Sequence, residues 1–154
     1  MFRNIIRTSD DKVLTLLRLA LAIVVFPHGA QKVLGWFGGF GFSGTFGFLT
    51  QQMHIPAALA ILVFAAEFLG PIGLFFGFLG RIAAFGIAVD FLVAALMVHR
   101  PNGFFMNWSG QQKGEGVEFF ILAIGIALAI VVKGSGAWSI DRLLAGKDQP
   151  QTPI

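Results

Sequence analysis

Four stretches of this chain are nearly free of charge over the length of a membrane crossing: residues 13–34, 56–79, 82–99 and 117–132. A helix needs about twenty apolar residues to traverse the hydrocarbon of a bilayer. In that medium every backbone N–H and C=O must find a partner within the protein, so runs of this kind fold as helices. They predict an all-α integral membrane protein, a four-transmembrane-helix up-and-down bundle. An ordinary soluble domain is excluded by the same residues, since 56% of the 154 are hydrophobic, 12% are charged and 18 are Phe. The last run is short, and Lys113 and Glu115 before it suit the headgroup layer.

Lys and Arg orient the bundle. Arg3, Arg7, Lys12, Arg18, Arg81, Lys133, Arg142 and Lys147 fall at one end and only Lys32, Arg100 and Lys113 at the other. The excess of positive charge on the cytoplasmic side therefore places both termini in the cytoplasm. A cleaved signal peptide is the competing reading of the N-terminus, but Arg18 interrupts the apolar stretch and no convincing cleavage site follows, so a retained helix is expected. Ser9, Asp10 and Asp11 are the candidates to cap it near Lys12.

Between the first two spans, residues 35–55 are rich in Gly and Phe yet almost uncharged, which suits a short interfacial helix. Ser43 is its candidate cap, Phe46, Leu49 and Met53 share one face, Trp36 anchors the upstream edge, and Pro56 opens the second span. After the fourth span, Trp138 and Ser139-Ile140-Asp141 suggest a short amphipathic element, and residues 143–154 read as a tail on a single 1–154 membrane domain.

Charges inside the apolar runs are costly and therefore informative. Glu67 shares a stripe with Gly70 and Gly77, and Asp90 shares one with Ala83, Gly86 and Ala94, so both acids should face neighbouring helices rather than lipid. Arg18 is the nearest cation by depth, and an intramembrane network of Arg18, Glu67 and Asp90 is expected. The bland reading, a neutral structural network gluing helices together, weighs equally.

A second concentration of chemistry lies at the far end of the first span, in Pro27-His28-Gly29-Ala30-Gln31-Lys32 and Gly35-Trp36-Phe37-Gly38-Gly39. Pro27 and Gly29 are expected to kink or unwind the helix and free carbonyls beside His28 and Lys32. Together with Gln31, Trp36, His99, Asn102 and Glu118, these residues form an outer-face ligand-site candidate in which donors and a protonatable imidazole meet apolar walls. The alternative is a snorkelling Lys32 beside a merely hydrogen-bonded His28. Metal is not expected. Haem is disfavoured because His99 lies half a helical turn from the Asp90 stripe.

These motifs carry a resemblance. The Pro27–Gly39 cluster, Ala66-Glu67-Phe68-Leu69-Gly70, Val98-His99 with Asn102-Gly103-Phe104-Phe105, and Glu118-Phe119 occur in an order that resembles the DoxX family across residues 17–141. The resemblance implies a small four-span protein of the bacterial cytoplasmic (inner) membrane, from a family named after a subunit of a thiosulfate:quinone oxidoreductase. An accessory or quinone-interacting subunit of a membrane oxidoreductase is the first functional reading. A transporter or channel using the buried charges, and a non-catalytic scaffold, are the alternatives. No catalytic residue is assigned. The chain has no Cys for thiol chemistry or covalent attachment and no nucleotide-binding fingerprint, so electrons would come from a partner or the lipid phase and the cofactor that suits it is a quinone. Expected partners are the bilayer, oxidoreductase subunits and further copies of the chain. Nucleic acid is not among them, because the net charge of +3 is spread along the sequence.

Overall fold

The computed structural model describes residues 2–146, and they are helical with no strand among them. Lys147 and the remainder of the expected tail, residues 148–154, lie outside the described residues. A short helix α1 (Phe2–Ile5) leads into α2 (Lys12–Leu34), which Asp11 caps by accepting hydrogen bonds from the amides of Val13 and Leu14 at 2.8 and 3.3 Å. Capping satisfies amide donors that the first turn of any helix leaves free. The N-terminal lead-in is not merely solvated, since Ile6 and Thr8 are buried.

Helix α2 runs through Pro27 without unwinding, contrary to expectation. Gly29 serves closeness instead: a Cβ there would stand 2.0 Å from the carbonyl oxygen of Glu67, so the two backbones touch only because this residue has no side chain.

The interfacial segment is helix α3 (Gly41–Gly47) followed by a turn with π spacing at Phe48–Gln52. Ser43 lies inside α3 and does not cap it, but Leu49, Ala60 and Phe64 do form a small core that Phe46 and Met53 cover. The second span consists of α4 (Ala57–Phe64), a π turn at Ala65–Leu69 and α5 (Gly70–Phe76), with Pro56 one position outside the helix. It stops at Gly77, which takes φ 65° and closes the helix end, rather than at residue 79. The third span starts two residues earlier than the apolar run suggests: α6 (Gly80–Ala94) continues through a π turn (Ala95–His99) into a 3-10 turn (Arg100–Asn102). Three helical stretches, Lys12–Leu34, Ala57–Phe76 and Gly80–Asn102, are long and apolar enough to cross a membrane. Helix α7 (Glu118–Lys133) has 16 residues, a rise of about 24 Å. Residues 143–145, expected in the tail, belong to helix α8 (Ile140–Ala145), which Ser139 caps.

Helix α6 packs on α5 and α7, and α2 packs on α5 and α7. Their shared core is made of small and branched residues, Val25, Leu74, Ala84, Ile87, Ala127 and Ile130 being essentially inaccessible. Outward the molecule shows Leu16, Ile23, Leu62, Phe85, Leu122 and Val132, an apolar surface that only a lipid-like surrounding satisfies.

At the end where the α5–α6 turn lies, buried charges tie chain segments together. Asp141 accepts from the amides of Leu79 and Gly80 at 2.8 and 2.9 Å and from the Ser135 hydroxyl at 2.5 Å, so it caps α6 from 61 residues away. This cap accounts for the early start of α6. Arg18 points to the free carbonyls at the end of α5: it donates to Leu74, to Phe75 at 2.7 Å and to Trp138 at 3.2 Å. Arg81 similarly donates to Val131, to Val132 at 2.9 Å and to Arg7 at 3.1 Å. The opposite end carries α3 and the connection between Arg100 and Val117.

Candidate functional site

The expected union of Arg18 with Glu67 or Asp90 does not form. Depth counted along isolated helices makes Arg18 the nearest cation, but the helix terminus at Gly77 offers it a nearer set of carbonyl acceptors. The cation that reaches Glu67 is Lys32, whose Nζ donates to Oε2 at 2.5 Å.

The local backbone explains how this pair arises. The π turn at Ala65–Leu69 inserts an extra residue into the second span and turns Glu67 toward α2, where it is buried. Gly29 lets the backbone of α2 lie directly on that turn. One helical turn beyond Gly29, Lys32 then has the length to bring its ammonium to the carboxylate while its stem runs along the helix. From the other side, Gly86 faces Ala66 and Gly70 faces Ile87, so α6 lies close against the same turn and carries Asp90 on it.

Asp90 is the least satisfied member. Its Oδ2 is shut off from the exterior and receives no donor. His28, one turn before Lys32 on the same face of α2, stands within electrostatic range of both Lys32 and Glu67. Its ring is exposed and lies 6.3 Å from Phe119, which in turn lies 5.9 Å from Phe91. The cluster therefore offers an ammonium, an imidazole and two carboxyls beside aromatic walls on α6 and α7.

The remaining outer-face candidates go elsewhere. His99 shares the Glu115 carbonyl with Asn102, through contacts of 2.9 Å from its Nδ1 and 3.1 Å from the Asn102 amide, and its ring lies 4.2 Å from Phe120. Oε1 of Glu118 accepts from the Met106 amide at 2.8 Å and the Trp108 indole at 3.1 Å, and Glu115 holds the Asn107 amide at 2.6 Å. These three candidates thus pin the connection between α6 and α7. Gln31 reaches the Phe37 carbonyl at 3.4 Å, and Trp36 is half exposed with its ring edge-on to Phe37. Sequence reasoning placed Lys32 and Glu67 in separate groups. Gly29, the residue that joins them, offered the missing signal: a glycine amid helix formers marks close backbone approach as readily as flexibility. No cluster of His, Asp and Glu among the described residues has the makings of a metal site.

On the face of α2 turned away from His28, an apolar groove of ≈ 360 Å³ runs between α2 and α5, lined by Ala22, Ile23, Phe26, Pro71, Ile72, Phe75 and Phe76. Phe26 links the two places: its ring walls the groove and stacks at 5.8 Å on Phe68, the neighbour of Glu67.

The chain is 32% identical over 145 residues to the inner membrane protein YqjF of Escherichia coli (strain K12), covering 90% of this chain and 96% of that one. It is 27% identical over 126 residues to a Bacillus subtilis (strain 168) protein named "Putative oxidoreductase CatD", covering 82% of each. No solved structure matches it. With its apolar helices, it is a multi-pass protein of the bacterial inner membrane. The DoxX family model matches residues 13–100, which hold His28, Lys32, Glu67 and Asp90 together, and the chain belongs to the DoxX family.

Proposed function

We propose that this protein crosses the inner membrane four times as an up-and-down bundle with both termini cytoplasmic, and that it serves as an accessory, quinone-interacting subunit of a membrane oxidoreductase system. The observation that carries this reading is the grouping of Lys32, Glu67 and His28 beside the Phe119 and Phe91 rings. A ring with a polar head needs both surfaces at once. The oxidoreductase in the name of the Bacillus subtilis relative supports the same class.

A quinone, when bound, accepts electrons and protons; the residues here supply none of the electrons, which a partner subunit must provide. Lys32 and His28 would donate hydrogen bonds to the ring oxygens and favour the developing negative charge, Lys32 turning away from Glu67 as it does so. Phe119 would lie against the ring. Glu118, earlier grouped with this site, is left to the connection it holds.

Binding of a short-tailed quinone analogue to the protein in lipid nanodiscs tests the site. Lys32→Met and His28→Ala should each weaken binding at least tenfold while Glu118→Gln leaves it unchanged. Equal affinity in all four proteins would remove the site. Orientation is tested separately by single cysteines, since the native chain has none: a cysteine at Asn107 should react with an impermeant reagent from outside and one at Arg3 should not.

A further inference from the structure

We propose that the apolar groove between α2 and α5 and the Lys12–Trp138 pair at the N-terminal end of α2 are two parts of one binding site for an anionic phospholipid. The groove takes the end of an acyl chain, and the pair takes the phosphate. Such a site follows from the chain's place in a membrane and does not depend on the quinone reading.

The two parts share a line and a depth. Lys12, Leu19, Ile23 and Phe26 fall within about 60° of one another around α2, so one stripe leads from the cation to the groove wall. The rise from Lys12 to Phe26 is about 21 Å, and half a bilayer with its headgroup layer is about 20–22 Å thick. A phosphate at Lys12 therefore puts the last carbons of its chain beside Ile23 and Phe26. Ile23, Phe75 and Phe76 are exposed, so the groove is open to a chain arriving from the lipid. Arg18 fixes the two parts to each other, donating to the carbonyl of Phe75 in the groove wall at 2.7 Å and to that of Trp138 at 3.2 Å. Buried and spent on carbonyls, it leaves the headgroup to Lys12.

Trp138 is placed rather than packed. Its φ of 48° is one that bulky residues rarely adopt, yet it is 76% exposed. The residue before it is fastened to α2: the Ala137 N–H donates to the Asp11 carbonyl at 2.9 Å, and the Thr15 hydroxyl donates to the Ala137 carbonyl at 2.6 Å. These bonds hold the indole outward, where Lys12 Nζ lies 5.8 Å from the ring centre. An indole at the end of a membrane-spanning helix suits the headgroup level, and with Lys12 it offers an N–H and an ammonium to one phosphate. The neighbouring acids are engaged elsewhere. Asp11 accepts from α2 amides and Asp10 pairs with Arg142, and among the described residues no carboxylate forms an ion pair with Lys12. A phosphodiester without a cation of its own supplies the missing charge, whereas a zwitterionic headgroup brings a competing cation.

Native mass spectrometry of the delipidated protein in mild detergent, titrated with phosphatidylglycerol or phosphatidylcholine of identical chains, tests the site. Phosphatidylglycerol should bind about fivefold more tightly than phosphatidylcholine, the preference that one lysine at a charged headgroup supplies. Lys12→Gln should abolish that preference and Lys12→Arg should keep it. Lys133→Gln, which removes an exposed cation from the same end of the bundle, should leave it unchanged. Ile23→Trp fills the groove from an exposed position and should weaken binding of both lipids. Equal affinity for the two lipids in the wild type, equal loss in Lys12→Gln and Lys133→Gln, or undiminished binding to Ile23→Trp overturns the proposal.

Discussion

Two regions of this molecule bury charge, and they do so in opposite ways. At the α5–α6 turn, Asp141 is met by three donors and Arg18 by three carbonyls, and of their polar atoms only Arg18 Nε lacks a partner. At the other end of α2, Lys32, Glu67 and Asp90 share a single ion pair, and a carboxyl oxygen of Asp90 is left without a donor. A saturated network spends its charges on helix ends and makes a rigid joint. An undersaturated one keeps capacity to bind a proton or a ligand, and the surrounding fold must hold it together.

The largest effect that sharpens this contrast is expected from Asp141→Asn. The amide keeps the shape but loses the charge facing Arg18, and its NH₂ cannot accept from two backbone amides and a hydroxyl together. Breaking a buried charged network by one partner typically costs about 3–5 kcal/mol. Thermal unfolding in a mild detergent should show the loss, and a change within error of wild type would demote the joint to an incidental contact.

Next comes Gly29→Ala, which strikes the undersaturated region through its scaffold. The added methyl would meet the Glu67 carbonyl at 2.0 Å, so α2 and the π turn must separate. Overpacking of this kind costs about 1–3 kcal/mol. Because separation also stretches the reach from Lys32 to Glu67, loss of that ion pair and loss of stability should appear together. A stable Gly29→Ala protein with an unaltered ion pair would show that the close approach is dispensable.

What the sequence made legible follows the same division. The apolar runs revealed helices because lipid demands them, and Asp11 was readable as a cap because a cap bonds amides two or three residues away. Asp141 acting on Leu79 and Gly80 was not, since the bond joins residues 61 and 62 positions apart and nothing local marks it. The inward stripes of Glu67 and Asp90 were visible from helical period, but their partner was misjudged, since the period says which side a residue faces and not where a neighbouring helix ends. Pro27 misled for a related reason: a proline within a long helix costs one bond, and packing on both sides kept α2 continuous.

A smaller effect is expected from Glu118→Gln. The carboxylate oxygen holds the Met106 amide and the Trp108 indole, and an amide oxygen can still accept from both, more weakly. The loss should be about 1 kcal/mol, confined to the connection between α6 and α7. Faster hydrogen exchange at Met106 with unchanged quinone-analogue binding would place Glu118 with the joints. Weakened binding would return it to the ligand site.

The smallest effect distinguishes the regions most cleanly, because it repeats the chemistry of the largest. Asp90→Asn removes the same carboxyl from an equally apolar setting, yet here one carboxyl oxygen holds no donor that the amide would lose. Lys32 keeps its partner Glu67. Stability should therefore change by less than about 0.5 kcal/mol, the range of an ordinary substitution that breaks nothing. If Asp90→Asn instead destabilises the protein as much as Asp141→Asn does, then Asp90 is ionised and structurally bound. The contrast between a saturated joint and a site with spare capacity would then fail.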